Sequence, residues 1–422
     1  MRLPVILLSL CLAGQPLAPA PAAPPDVAAL VASTPFRTAT AIIEAGHERF
    51  VSELIRLTEI PAPPFKEQAR AEAYLGMLRD AGLRDVEMDR EGNVMGVRPG
   101  SGKGGMLAVL AHLDTVFPEG TDVRVRREGD RLFAPGVGDD TRGLAMLLTI
   151  LRAMDAAGIR TRDDILFVGN VGEEGEGDLR GVRFLLQQGP YRGRITQLIT
   201  VDGSDQAQIV TGALGSRRYR VRFTGPGGHS YGSFGLVSPA FAMGNAMARL
   251  ASTPVPSSPR TTFNVGVVGG GTSVNSIPTE VFMTVDLRSE SPEELERLVD
   301  ALHAHVRAAV QEENRTRSTA RGEVAATFEQ IGDRPSGQTP LSAPLVQTAA
   351  AVVRQFGLTP RFATGSTDAN VPISMGIPAI AVGHGRGGRA HSPEEWVDVS
   401  PAEYSRAAQV LLAIVASAAG TE

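Results

Sequence analysis

Apolar residues recur along this chain at two alternating spacings, one suited to helices and one to strands. Thr38 to Thr58 sets Ile42, Ile43, Phe50, Leu54 and Leu57 at helical intervals and ends before Pro61. A second helix is predicted from about Lys66 to Ala81, stopped by Gly82. Met106 to Leu113 is a continuous apolar run, as a fully buried strand requires, and Leu144 to Ala157 returns to helical spacing. Asp164 to Val171 then predicts a strand, Val182 to Gln188 a helix and Gln197 to Val201 another strand. Strands alternating with helices in this way imply an α/β domain. Its sheet should be mainly parallel, with helices on both faces.

The rhythm changes near Gly212. Arg218 to Phe223 alternates as a half-exposed strand, and Pro239 to Ala251 is helical. Thr262 to Val268 and Val281 to Arg288 are strands, Pro292 to Arg315 is a long helix, and Gly322 to Glu329 is a last strand. The order β-α-β-β-α-β is that of a small α+β, ferredoxin-like sandwich. Gly332 to Pro340 reads as the linker back, and helices at 345–356 and 402–418 flank a strand at 379–383. The predicted organisation is a catalytic domain in two parts, 38–212 and 334–422, with an inserted lid at 213–333.

The remaining N-terminal residues read as a leader. Arg2 precedes the apolar run Pro4 to Ala13, which is too short to span a membrane and has the length of a signal-peptide core. Ala20-Pro21-Ala22 offers small residues for cleavage, so 1–22 is taken as a signal peptide and 23–37 as a Pro/Ala-rich linker. The expectation is an exported protein, periplasmic or secreted, with no stable membrane anchor. Its one cysteine, Cys11, would leave with the leader. The 422 residues fit two domains, and the net charge of −5 offers no basic footprint for nucleic acid.

Against this frame, metal-binding side chains fall at or just beyond the ends of apolar runs, where open α/β sheets bind ligands. They are His112, Asp139, Glu174, Asp202 and His391, and histidines with carboxylates suit zinc when a position is left for water. Alternation puts His112 and Asp114 on one side of their strand, so Asp114 can orient the imidazole. Of Asp139 and Asp140, the first is assigned as a bridge between two cations and the second as the cap of the following helix. Glu173 and Glu174 are adjacent, and Gly175 allows the turn that brings both to one site. One can ligate metal while the other takes a proton from water. His384 is the competitor for the last ligand, and the Ser-Pro-Glu after His391 favours the latter. So many converging carboxylates repel one another unless cations neutralise them.

The motifs His-Leu-Asp-Thr-Val, Gly-Asp-Asp-x-x-Gly, Gly-Glu-Glu-Gly, Gly-Gly-His-Ser and His-Ser-Pro-Glu resemble those of the M20 family of di-zinc metallopeptidases. That family includes glutamate carboxypeptidases, peptidase T-like tripeptidases, aminoacylases and desuccinylases. Thr141 departs from the lysine that many members carry there. The resemblance implies two Zn²⁺ per subunit, with Co²⁺ or Mn²⁺ as substitutes, and a small peptide or N-acyl amino acid as substrate. His112, Asp139 and Asp202 would hold one ion, and Asp139, Glu174 and His391 the other. Glu173 would be the general base and Asp114 the residue orienting His112. It further implies a homodimer through the lid, with His229 reaching a substrate carbonyl. Arg288, helped by Asn275 on the neighbouring strand, would hold a substrate carboxylate. For Arg288 the alternative is a surface ion pair with Asp286, which shares its face of the strand.

Overall fold

The computed structural model describes residues 26–421. The expected signal peptide at 1–22 lies outside the described residues. At the centre of the larger sheet, Met106–His112 is hydrogen-bonded in parallel to both Asp164–Asn170 and Ile195–Val201. Ala379–Val382 continues the parallel arrangement beyond Ile195–Val201, and antiparallel strands close both edges. Period-two alternation sorts the central strand's side chains. Leu107, Val109 and Ala111 join the core under helices Thr141–Ala156 and Pro401–Ala418, whereas Met106, Ala108 and Leu110 join the core under Arg180–Gln187. Helices therefore cover both faces, as the alternating pattern predicts.

The second sheet has four antiparallel strands, ordered Thr261–Gly270, Glu280–Ser289, Gly215–Thr224, Ala325–Arg334. Helices Pro239–Ala251 and Pro292–Thr316 pack on one face through Val221, Phe223, Met283, Val285, Leu298 and Leu302. With the chain order β-α-β-β-α-β, this is the ferredoxin-like arrangement. One end of the sheet, its base, meets the parallel domain: Arg218 donates to the Gly175 carbonyl at 2.9 Å. At the same end the Asp333 N–H donates to Asp178 at 2.9 Å.

Three expectations about elements are corrected. The helix predicted over 38–58 is two helices, Thr34–Ala45 and His47–Thr58, broken at Gly46. The segment read as a Pro/Ala-rich linker is helical from Val27. Its Val27, Leu30 and Phe36 are buried and Asp26 caps the first turn, so apolar burial outweighs a composition that suggests a spacer. The return linker is also partly strand: the last lid strand runs to Arg334, and Gly337–Gln338 pairs with Gln208–Ala213. Among the described residues no helix is long and apolar enough to cross a membrane.

Candidate metal centre

The carboxyl ends of the parallel strands deliver the site. His112 is the last residue of the central strand, Asp202 follows Ile195–Val201, and Glu173 and Glu174 sit in the turn after Asp164–Asn170. His112 Nε2 lies 2.9 Å from Asp139 Oδ1, and His391 Nε2 lies 3.1 Å from Asp139 Oδ2 and 2.9 Å from Glu174 Oε1. Asp139 thus faces one imidazole with each oxygen, which is the geometry of a bridging carboxylate. Ligand atoms of His112, Asp139 and Glu174 fall within 4.8 Å of one another. Asp202 stands beside Asp139 on the wall of a hollow of about 180 Å³. His384 also lines that hollow, but it is buried behind Asp140, with Nε2 at 3.5 Å from Asp140 Oδ1. His391, and not His384, meets Asp139 and Glu174.

Two assignments made from sequence change. The Asp114 carboxylate does not accept from His112; Nδ1 faces the Asp114 backbone carbonyl at 3.0 Å, with the carboxylate 3.7 Å away. Instead the Asp114 carboxylate accepts the N–H of Glu173 at 3.1 Å and of Glu174 at 2.8 Å. It sets the turn that aims both glutamates. Asp140 occupies the position before helix Thr141–Ala156 but makes no capping bond. Its carboxylate accepts the His112 N–H at 3.0 Å, which fixes the strand end carrying the imidazole.

Several contributors were not anticipated. Glu395 is buried and accepts from Gly136, Gly138 and Asp139 N–H at 3.0, 2.6 and 2.7 Å, so it holds the loop that presents Asp139. Arg334 ends the last lid strand and donates to Glu173 Oε1 at 3.1 Å and to Ser366 at 2.9 Å. It also donates to the Glu173 carbonyl. Asp368 and Asn170 are buried together at 2.7 Å beneath the glutamate turn. An acid in Pro-Glu-Glu-Trp and a lone arginine in a Gly/Pro-rich stretch were the available signals.

The lid residues named from sequence do not converge. His229 pairs with Ser276, next to Asn275, at the far tip of the lid, and both are exposed. Arg288 sits at the opposite end of Glu280–Ser289, about 30 Å from that tip at the rise of an extended strand. Asn275 therefore cannot help Arg288 within one chain. Arg288 is bonded to Asp286 at 2.7 Å, the ion pair that was the alternative reading. His229 Nδ1 accepts from the N–H of Tyr231 and of Gly232 at 3.2 Å each, which leaves Nε2–H free as a donor.

The electrostatics ask for cations. Burial, with Asp139 as the nearest like charge, pushes the Asp202 carboxyl up to about 7, and burial pushes Asp368 to about 6. Burial also drives Glu173 well above the usual range, Arg334 opposing it. Hydrogen bonds to Asp139 and Glu174 raise His391 to about 10. Burial would lower His112, but the facing Asp139 raises it well above its ordinary value. Two imidazoles converging on the carboxylates of Asp139 and Glu174, with Asp202 beside them, make a donor set that fits a dinuclear metal site.

The profile of peptidase family M20/M25/M40 matches residues 108–417. The chain belongs to that family. It is accordingly a hydrolase of peptide or amide bonds, within a family of dinuclear metal-binding peptidases. The carboxypeptidase G2 of Pseudomonas sp. is 24% identical over 212 residues, half of this chain and half of that one. A putative succinyl-diaminopimelate desuccinylase of Mycobacterium tuberculosis is 25% identical over 81% of this chain and 92% of that one. The aminopeptidase PepT of Bacillus cereus shares the fold, with a TM-score of 0.71 at 22% identity, covering 88% of this chain and 98% of that one.

Proposed function

We propose that this M20 member is an exported zinc-dependent exopeptidase of small peptides. The observation that carries the metal chemistry is Asp139 set between His112 and His391, with buried Glu173 beside Glu174. Zinc held by His112, Asp139, Asp202, Glu174 and His391 would polarise the scissile carbonyl and lower the pKa of water to about 7. Glu173 then takes the proton of the attacking water and passes it to the leaving amine. Asp114 holds the glutamate turn through two N–H bonds, and Arg334 grips Glu173 from the other side. Both fix where the proton is carried. An N-acyl amino acid is the alternative substrate, in line with the desuccinylase relative.

The lid supports a homodimer. Its edge strand Thr261–Gly270 carries no charged residue, and Val267 and Val268 are half exposed. A long uncharged edge is a template for pairing with another chain. Two copies related by a two-fold axis pair identical strands antiparallel, which sets the tip of one lid beside the base of the other. The base is where Arg334 meets Glu173. His229 would thereby donate Nε2–H to the substrate carbonyl of a second subunit, an oxyanion role its own chain cannot give it.

Glu173→Ala is the deciding variant. It should retain both metal ions by elemental analysis and lose at least about 10³-fold in kcat on dipeptides and N-acetyl amino acids. Full turnover in that variant removes Glu173 from the reaction. Stoichiometric zinc with no turnover by the unaltered protein on any such substrate would instead mark a binding protein.

A further inference from the structure

The tip of the lid holds two aromatic side chains that the reaction as described does not use. Tyr231 is 90% exposed and Phe234 87% exposed, and Val274 beside them is fully exposed. They are not on a loose loop. The Tyr231 N–H donates to His229 Nδ1, the Ser233 N–H to the His229 carbonyl at 2.8 Å, and the Ser230 N–H to the Asn275 carbonyl at 2.9 Å. The 229–234 segment is therefore wrapped around the imidazole, and wherever His229 goes both aromatics go with it.

Large apolar side chains exposed together on a segment whose backbone is tied down mark a surface for contact with another molecule. The occupant follows from the edge strand. Antiparallel pairing of two lids lays the tip of one over the base of the other, where Arg218 touches Gly175 and Arg334 touches Glu173. The hollow beside Asp139 and Asp202 is walled mainly by small residues, Gly203, Ser204, Gly387, Gly388 and Ala390, together with His384 and Trp396. A substrate side chain lying there meets few large apolar side chains from its own subunit, and the incoming tip would supply them.

We propose that Tyr231 and Phe234 are specificity-determining residues delivered in trans with His229, and that they select substrates bearing a bulky apolar residue beside the scissile bond. This rests on the homodimer and hydrolase reading above. Aromatic rings suit the task, since they bring a large apolar area at little cost in side-chain freedom.

The test uses the full-length zinc-loaded protein, with dipeptides and N-acetyl amino acids that differ only by Ala, Leu or Phe at one position. The unaltered enzyme should favour Leu or Phe over Ala by about tenfold or more in kcat/KM. In Tyr231→Ala/Phe234→Ala that ratio should collapse toward one while zinc content and sedimentation coefficient stay those of the parent. Mixed dimers then decide whether the aromatics act across the interface. Co-expressing Glu173→Ala with Tyr231→Ala/Phe234→Ala leaves one competent site per heterodimer, which has its own Glu173 and the partner's intact tip. That site should recover the parental preference. No initial preference, a ratio within twofold of the parent in the double variant, or a heterodimer keeping the collapsed ratio each overturns the proposal. A monomer by sedimentation, or no turnover on any substrate, instead overturns the reading beneath it.

Discussion

Glu395 shows how much of the metal centre is built by side chains that touch no metal. Its carboxylate takes three backbone N–H groups of the loop that ends in Asp139. Removing it would leave those donors buried without partners, at about 1–3 kcal/mol for each that water cannot reach. Glu395→Ala should therefore weaken zinc binding by roughly 10–100-fold, and Glu395→Gln by less, because an amide oxygen still accepts. Competition with a chelator measures this, and unchanged affinity in the alanine variant would make Glu395 a bystander. At this scale the sequence discloses ligand types well and their supports poorly. His112, Asp139, Glu174 and His391 stand in motifs whose residue types already imply metal. Asp114, Asp140 and Glu395 instead act on backbone N–H groups, and nothing in a residue pattern says which N–H will point at which carboxylate.

The elements were legible where burial is strong. The strand at 106–112 and the helix at 239–251 follow directly from apolar spacing, because each has a face that must be covered. Short segments escaped: Arg361–Gly365 and Gln208–Ala213 pair with each other through contacts distant in sequence, and their own pattern is weak. The helix Thr141–Ala156 offers a test in which local propensity and packing disagree. Alanine is a better helix former than glycine by about 1 kcal/mol, so propensity alone favours Gly143→Ala. A methyl group there would stand 2.5 Å from the Val201 carbonyl and 2.2 Å from Asp140 Oδ1. Overpacking of this kind costs about 1–3 kcal/mol, so the variant should be less stable in urea unfolding and should bind zinc more weakly through the displaced Asp140. A gain in stability would show that strand and helix can part without loss.

At the scale of the whole molecule, the lid interrupts the catalytic domain, and His391 joins the other ligands only after the chain returns. The change in the rhythm of elements near Gly212 is the sequence signal of the separate four-stranded sheet. The separation of His229 from Arg288 was not visible, because His229 pairs with Ser276 just before the strand Glu280–Ser289 begins, whereas Arg288 lies near that strand's other end. The assembled site also has a pH signature. Asp202, Asp368 and Glu395 are raised to about 7, 6 and 7, with burial the largest cause for each. A carboxyl group whose folded pKa exceeds its unfolded value stabilises the fold while it is protonated. That contribution is complete below the unfolded value of about 4 and is lost as pH rises through the folded values near 6 to 7. Zinc-free protein should accordingly melt lower at pH 8 than at pH 5, by on the order of 5 °C. Divalent ions held among these carboxylates would supply positive charge at any pH, so protein loaded with zinc should show a flatter profile and a higher melting temperature at pH 8. Calorimetry of both forms across this range decides the matter. A zinc-free protein whose melting temperature is level or rises from pH 5 to pH 8 would mean that these carboxyl groups are not held protonated by the fold.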